Sequence, residues 1–212
     1  MLQLDHLTVI APTLSEGVAH VRACLGVDMP TGGAHPEMGT HNRLLRLGDD
    51  VFLEVIAIDP DAPPPGRPRW FGLDDVSEIR SAWDSGLRLR GFVTRTDDLE
   101  AAEAHYGRFL GQRTKVSRGD RSWHFLVPPD GSRPGAGVAP SVMDWGERGT
   151  PAPTMPDLGV RLTSFAVAHP DPARVAELYR YLGVARAPDV RQGDELRYRA
   201  VLETPAGVKE LT

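Results

Sequence analysis

"LDHLTVIAPTLSEGVAHVRACLGV", residues 4–27, reads as one strand, a Pro-Thr turn and an amphipathic helix that stops at Gly26. The same plan returns in "LRGFVTRTDDLEAAEAHYGRFLGQ", residues 89–112, where Asp97 and Asp98 are cap candidates and Gly111 is the stop. It returns again in "LTSFAVAHPDPARVAELYRYLGV", residues 162–184, which stops at Gly183. Leu4, Val9 and Pro12 align with Leu162, Val167 and Pro170 without a gap. Self-similarity of this length marks an internal repeat.

Extended segments follow each helix. In the first unit they are residues 33–40, "HNRLLRL" and "VFLEVIAI", the last two joined at Gly48-Asp49-Asp50. In the second they are "RTKVS", "RSWHFLVP" and "VAPSVMDW"; in the third only "ELRYRAVLE" and "GVKELT" are clear. A strand and a helix followed by antiparallel strands is an α+β plan, unlike the regular alternation that builds a parallel sheet. The expected organisation is a first βαβββ module at 1–59, a proline-rich connector at 60–86 and a second module at 87–146. A linker at 147–159 then leads to a third, shorter βαββ module at 160–212, all within one compact domain. The first connector is long for a compact domain and is a candidate functional loop.

Bulk composition narrows the function. With 212 residues, 41% of them hydrophobic and 25% charged, the chain has the makings of an ordinary globular core. A net charge of −5, with acids interspersed among the arginines, argues against a nucleic-acid partner. No apolar run approaches bilayer length, and Asp5 and His6 interrupt the N-terminus where a signal peptide needs an apolar segment. A single cysteine, Cys24, excludes a disulfide framework. The expectation is a cytoplasmic protein with a small-molecule partner, without a membrane partner; a homodimer is left open.

The candidate site rests on Glu54. It interrupts "VFLEVIAI", whose other residues are apolar on both faces, so burying it requires a partner. One option is an ion pair with Arg43 or Arg46 of the preceding strand. Hairpin register chooses between placing His41, Arg43 and Leu45 beside Glu54 and placing Asn42, Leu44 and Arg46 there. The Gly-Asp-Asp turn fits more than one loop length. The other option is a metal. His6 on the first strand, Glu54 on the last and His41 nearby form a donor set that divalent zinc, iron, manganese or nickel accepts. His35 could contribute to this set or to the substrate pocket, but "GGAHPEMG" reads more as a loop shaping the pocket rim, with His35 an exposed turn histidine. Trp70 with Phe71, Trp145 and an inward Arg43 are candidate pocket walls.

Taken together, "LDHLTVIAPTL", "GGAHPEMGTHNRLLRLGDDVFLEVIAID" and "VAPSVMDWG" resemble the glyoxalase-like domain family of the vicinal oxygen chelate superfamily. The resemblance runs over nearly the whole chain. It implies paired βαβββ modules forming a curved, mixed sheet cup with helices outside. It also implies metal ligands on first and last strands, here His6 and Glu54. In the second module the corresponding positions are Gly91 and, as the nearest match, Asp144. The activity implied is a metal-dependent lyase, isomerase or dioxygenase acting on a small oxygen-chelating substrate. The alternative is a protein that sequesters a small molecule in the cup without chemistry.

Overall fold

The computed structural model describes residues 1–212. Strand β1 (Leu2–Ile10) leads into helix α1 (Leu14–Leu25), whose first turn is capped by Thr13 accepting from the Glu16 amide. Gly26 ends α1 in the left-handed conformation at φ 71°. Strands β2 (Ala34–His35), β3 (Thr40–Arg46) and β4 (Phe52–Ile58) complete the first unit. The connector that follows carries helix α2 (Val76–Asp84). Then come β5 (Leu89–Arg95), α3 (Leu99–Leu110), β6 (Gln112–Arg118), β7 (Arg121–Val127) and β8 (Ser141–Asp144).

These strands share one sheet in the order β2-β3-β4-β1-β5-β8-β7-β6. Each unit therefore lays its last strand parallel to its first, β4 along β1 and β8 along β5, and the two units meet where β1 and β5 run antiparallel. The result is the curved, mixed sheet of paired βαβββ modules. The third repeat differs from the first two. Strands β9 (Arg161–His169), β11 (Asp189–Gln192), β12 (Arg197–Thr204) and β13 (Gly207–Leu211) form a separate sheet in the order β11-β9-β12-β13. Helix α4 (Pro172–Tyr181) follows β9, and β10 (Val184–Ala185) pairs with the start of β1.

Side-chain alternation assigns the two faces of the main sheet different work. Leu7, Val9, Leu45, Leu53 and Val55 face α1 and, with Phe165, Val167, Tyr198 and Leu202 of the second sheet, form the largest apolar cluster. Ile10, Leu44, Phe52 and Ile56 point the other way, into a cup shared with Trp123, Phe125 and Met143 of the second unit. Full burial of each such side chain contributes about 1.5–3 kcal/mol. The second sheet thus covers the outer face and leaves the cup to the first two units. No helix is long and apolar enough to cross a membrane.

Helix α1 lies very close to the sheet. A Cβ on Gly17 would stand 2.3 Å from Val55 Cγ1 and 2.9 Å from Ala11 Cβ. Alanine normally gains about 1 kcal/mol over glycine inside a helix. Here the overlap should reverse that sign. Gly17→Ala is expected to lower stability by about 1–3 kcal/mol in urea melts, and Val55→Ala in the same chain should recover part of the loss.

Candidate functional site

Local strand geometry brings the acids and histidines together. The hairpin between β3 and β4 closes through the Leu47 amide to the Val51 carbonyl, at 2.9 Å, leaving Gly48-Asp49-Asp50 as the loop. That length sets Leu44 opposite Glu54 and Asn42 opposite Ile56. Asn42 therefore shares the face of Glu54, and its amide donates to Glu54 Oε1 at 2.6 Å. His6 Nε2 lies 3.3 Å from Glu54 Oε2.

A second device lies on β1. Its pairing with β5 shifts register between Leu4 and His6, a bulge at Asp5. Bulges re-aim side chains, and here Asp5 and His6, adjacent in sequence, both reach the same cluster. Asp5 Oδ1 is 2.7 Å from His6 Nδ1, and Asp5 Oδ2 accepts from Trp145 Nε1 at 2.9 Å. Arg95 Nη1 stands 3.4 Å from the same oxygen. Asp5, His6 and Glu54 are all buried.

From Asn42 the network continues to His35, whose Nε2 is 3.3 Å from the Asn42 amide nitrogen and whose Nδ1 is 3.1 Å from Thr40 Oγ1. Trp70 Nε1 donates to the same Thr40 oxygen at 3.3 Å. The connector holds Trp70 and Phe71 over this cluster. Arg69 latches that segment by donating to Asp74 and to the Gly39 carbonyl. Phe71 sits in the left-handed region at φ 59°, ψ 15°, a conformation that costs a bulky residue on the order of 1–3 kcal/mol. Phe52 stacks on His6 with ring centroids 4.5 Å apart. The enclosed hollow has a free volume of about 20 Å³, room for about one water.

Burial and partners set the charges. Burial alone would lower the pKa of His6, but hydrogen bonds to Asp5 and Glu54 outweigh it and hold it up to about 9. Burial would raise Glu54, yet the His6 hydrogen bond and charge bring it down to about 2. His35, buried without such a partner, is pushed down to about 4. At neutral pH the hollow therefore holds an imidazolium, a carboxylate and a neutral imidazole, with the Arg118 guanidinium also in its wall.

Several expected positions fall elsewhere. His41 is on the opposite face of β3 from Glu54, where its Nδ1 lies 3.9 Å from Asp59; alternation removes it from the ligand set. Arg43 shares that outer face and does not enter the cup, and Arg46 is occupied by the Gly48 carbonyl and Asp49, so neither of these arginines pairs with Glu54. Asp144 is outside the hollow, where its carboxylate accepts from the Gly146 amide and closes a turn. His35 is buried inside the site rather than exposed at its rim, because β2 pairs it with Thr40. Trp70 and Trp145 do line the hollow. A much larger concavity, about 570 Å³, lies between the two sheets beside Leu4, Asp50 and Ser164, away from His6 and Glu54.

The donor set can be tested against a divalent ion. A catalytic site of this kind holds its metal with three protein ligands. Here His6 Nε2 and Glu54 Oε2 face each other, but no three His, Cys, Asp or Glu side chains are placed to hold one ion. The free nitrogen of His35 is turned to the Asn42 amide. The residues present do not fit a resident divalent ion, and no chemical step is assigned to one.

Comparison with known proteins places this geometry in context. The family model described as a glyoxalase-like domain matches residues 4–183. No curated protein matches the sequence significantly. Among solved structures, a hypothetical protein from Staphylococcus aureus is similar with a TM-score of 0.62 at 11% identity, covering 93% of this chain and 89% of that one. A variant of Streptomyces coelicolor methylmalonyl-CoA epimerase, in complex with 2-nitronate-propionyl-CoA, is 18% identical over 69% of this chain and 97% of its own, with a TM-score of 0.42. Methylmalonyl-CoA epimerase from Mycobacterium tuberculosis is 15% identical over 68% of this chain and 89% of its own, also at 0.42.

The charges predict a pH signature. His6, raised in the fold, adds stability that is complete below its unfolded value of 6.5 and lost as pH rises through about 9. Glu54, lowered in the fold, adds stability present above 4.5 and lost as pH falls toward about 2. His35 penalises acid as well, because between pH 6.5 and about 4 only the unfolded chain takes up its proton. Urea melts should show maximal stability near pH 6.5–7, falling on the alkaline side by up to about 3 kcal/mol. Glu54→Gln should flatten that alkaline limb.

Proposed function

The chain belongs to the glyoxalase-like domain family of the vicinal oxygen chelate superfamily, and from that premise we propose that it is a proton-transfer enzyme, of isomerase or lyase type, acting on a small oxygen-bearing molecule in the cup. One observation carries the reading: two buried groups 3.3 Å apart, His6 and Glu54, whose surroundings push their pKa values in opposite directions. Such a pair is how one site supplies both an acid and a base near neutral pH.

The proposed sequence uses only this chain's residues. A substrate carbonyl oxygen takes the Nε2 hydrogen of His6 away from Glu54. Glu54 then loses the contact that held its pKa down while remaining buried, so it becomes a stronger base. It accepts the proton from the carbon beside the carbonyl, and the imidazolium stabilises the enolate oxygen that forms. Returning the proton to the same or the neighbouring carbon completes an epimerisation or isomerisation. Asp5 keeps Nδ1 engaged, so Nε2 faces the substrate, and Asn42 holds the other carboxylate oxygen in place. Phe52, Trp70 and Trp145 exclude water.

A second reading, a binding protein without chemistry, is favoured by the closed state of the hollow. At about 20 Å³ it admits a substrate only when Trp70 and Phe71 withdraw.

The two readings separate in D2O. Small carbonyl compounds (hydroxyacetone, dihydroxyacetone phosphate and 2-oxobutyrate) would be incubated with the protein and followed by proton NMR. The enzyme reading expects exchange of the hydrogen beside the carbonyl, reduced by about 10² or more in Glu54→Gln and His6→Asn. Chelator should change neither the exchange nor the melting temperature. Ligands that bind without exchange would establish the binding-protein reading, and exchange abolished by chelator would restore a divalent ion to the site.

A further inference from the structure

A second hollow lies beside the first, and apart from Phe71 its residues have no part in the chemistry above. Thr8 stands two positions beyond His6 on β1 and on the same face, so the two side chains are about 7 Å apart along the strand. The Thr8 hydroxyl is fully buried and has no hydrogen-bond partner, a condition that buried polar groups rarely tolerate. It borders a space of about 10 Å³ together with Arg90, Gly91, Arg133, Ser141 and Phe71. Gly91 leaves this space open: no atom lies within 4 Å of where its Cβ would be. The position that matches His6 in the second unit is thus kept without a side chain.

The charge around this hollow is unbalanced. Arg90 and Arg133 have side chains only 6% and 19% exposed, and the one acid near them is Glu78 of α2. Glu78 accepts from both terminal nitrogens of Arg90, through Nη1 at 2.9 Å and through Nη2. Arg133 Nη2 stays 3.9 Å from the same carboxylate, while its Nη1 donates to the Arg90 carbonyl at 3.0 Å. Two guanidinium groups face one half-exposed carboxylate, and no acid lines the space itself. Burial, with the neighbouring charge of Arg90, pulls the pKa of Arg133 down to about 10, as an under-compensated cation requires.

We propose that this hollow is an oxyanion subsite, in which Arg133 and Thr8, backed by Arg90, receive the carboxylate or phosphate of the substrate. The substrate is then a short molecule whose anionic group lies within about 7 Å of the carbon that reacts at His6 and Glu54. What happens at that far end rests on the proton-transfer reading, whereas anion binding rests on Thr8, Arg90 and Arg133 alone. Phe71 is the single side chain that lines both hollows. Its backbone is left-handed, and at about 10 Å³ the second space takes an anion only once this ring moves. Glu78 already engages Arg90 from outside the hollow, so an arriving anion competes with it for that guanidinium.

The test uses malonate and inorganic phosphate as probes, with chloride at matched ionic strength as control, by titration calorimetry on the full chain. Wild type should bind malonate or phosphate saturably and chloride not at all; the tighter of the two identifies a carboxylate or a phosphate subsite. Arg133→Gln should weaken binding about tenfold or more, Thr8→Val several-fold, and Glu78→Gln should tighten it. Thr8→Val keeps the shape of the side chain, so the test survives if Arg133→Gln fails to fold. His6→Asn should bind the anion like wild type while losing proton exchange, which separates a failure of the proton-transfer reading from a failure of the subsite. The proposal is overturned if neither wild type nor Glu78→Gln binds either probe saturably. It is equally overturned if Thr8→Val or a folded Arg133→Gln binds as tightly as wild type.

Discussion

The Asp5–His6–Glu54 chain of contacts is the constraint to which the rest of the cup is fitted. Three ionised groups are taken out of water here, which is affordable only if each is paired and hydrogen-bonded. His6 lies between two carboxylates, Asp5 is also met by Arg95 and the Trp145 indole, and Glu54 takes the Asn42 amide. The two acids, Asp5 and Glu54, are faced by His6 and Arg95, with Arg118 a third cation in the wall of the hollow. Removing one partner of such a buried pair costs about 3–5 kcal/mol, because the other charge is left uncompensated. The aromatic walls serve the same end by excluding water that would otherwise screen the pair.

The two faces of the main sheet divide stability from chemistry. The outer face packs α1 and the second sheet into the largest apolar cluster, with Gly17 allowing the helix to approach Val55 closely. The inner face gives up apolar positions to His6, Thr8, Asn42 and Glu54. The third repeat keeps the strand-helix opening of the other two but builds its own sheet, so it supports the cup from behind. The broad cleft between the sheets holds neither His6 nor Glu54.

The repeated strand-helix units and their glycine stops were legible because hydrophobic period and cap chemistry are local. That His6 and Glu54 would share a site was also legible, from like placement on first and last strands. The partners of Glu54 were not. They depend on a hairpin loop whose length "GDD" does not fix, and one residue of slip exchanges Asn42 for His41 and Arg43. Asp5 was hidden by the alternation rule itself, since only a bulge lets it and His6 reach one cluster. His35 read as an exposed turn residue because nothing local shows that two residues of β2 pair with β3 and turn it inward. Arg118, Trp123 and Phe125 come from the second unit, and only the tertiary fold brings them to the hollow.

The central claim is that His6 is an imidazolium held between two carboxylates while His35 is neutral. Nitrogen-15 NMR of the histidine side chains, titrated from pH 5 to 10, reads both states directly. The account predicts that both His6 nitrogens carry protons at pH 7 and that His6 loses one only near pH 9. His35, held down to about 4, should remain neutral across that whole range. A His6 that is neutral at pH 7, or that titrates near 6.5 like a free imidazole, would contradict it.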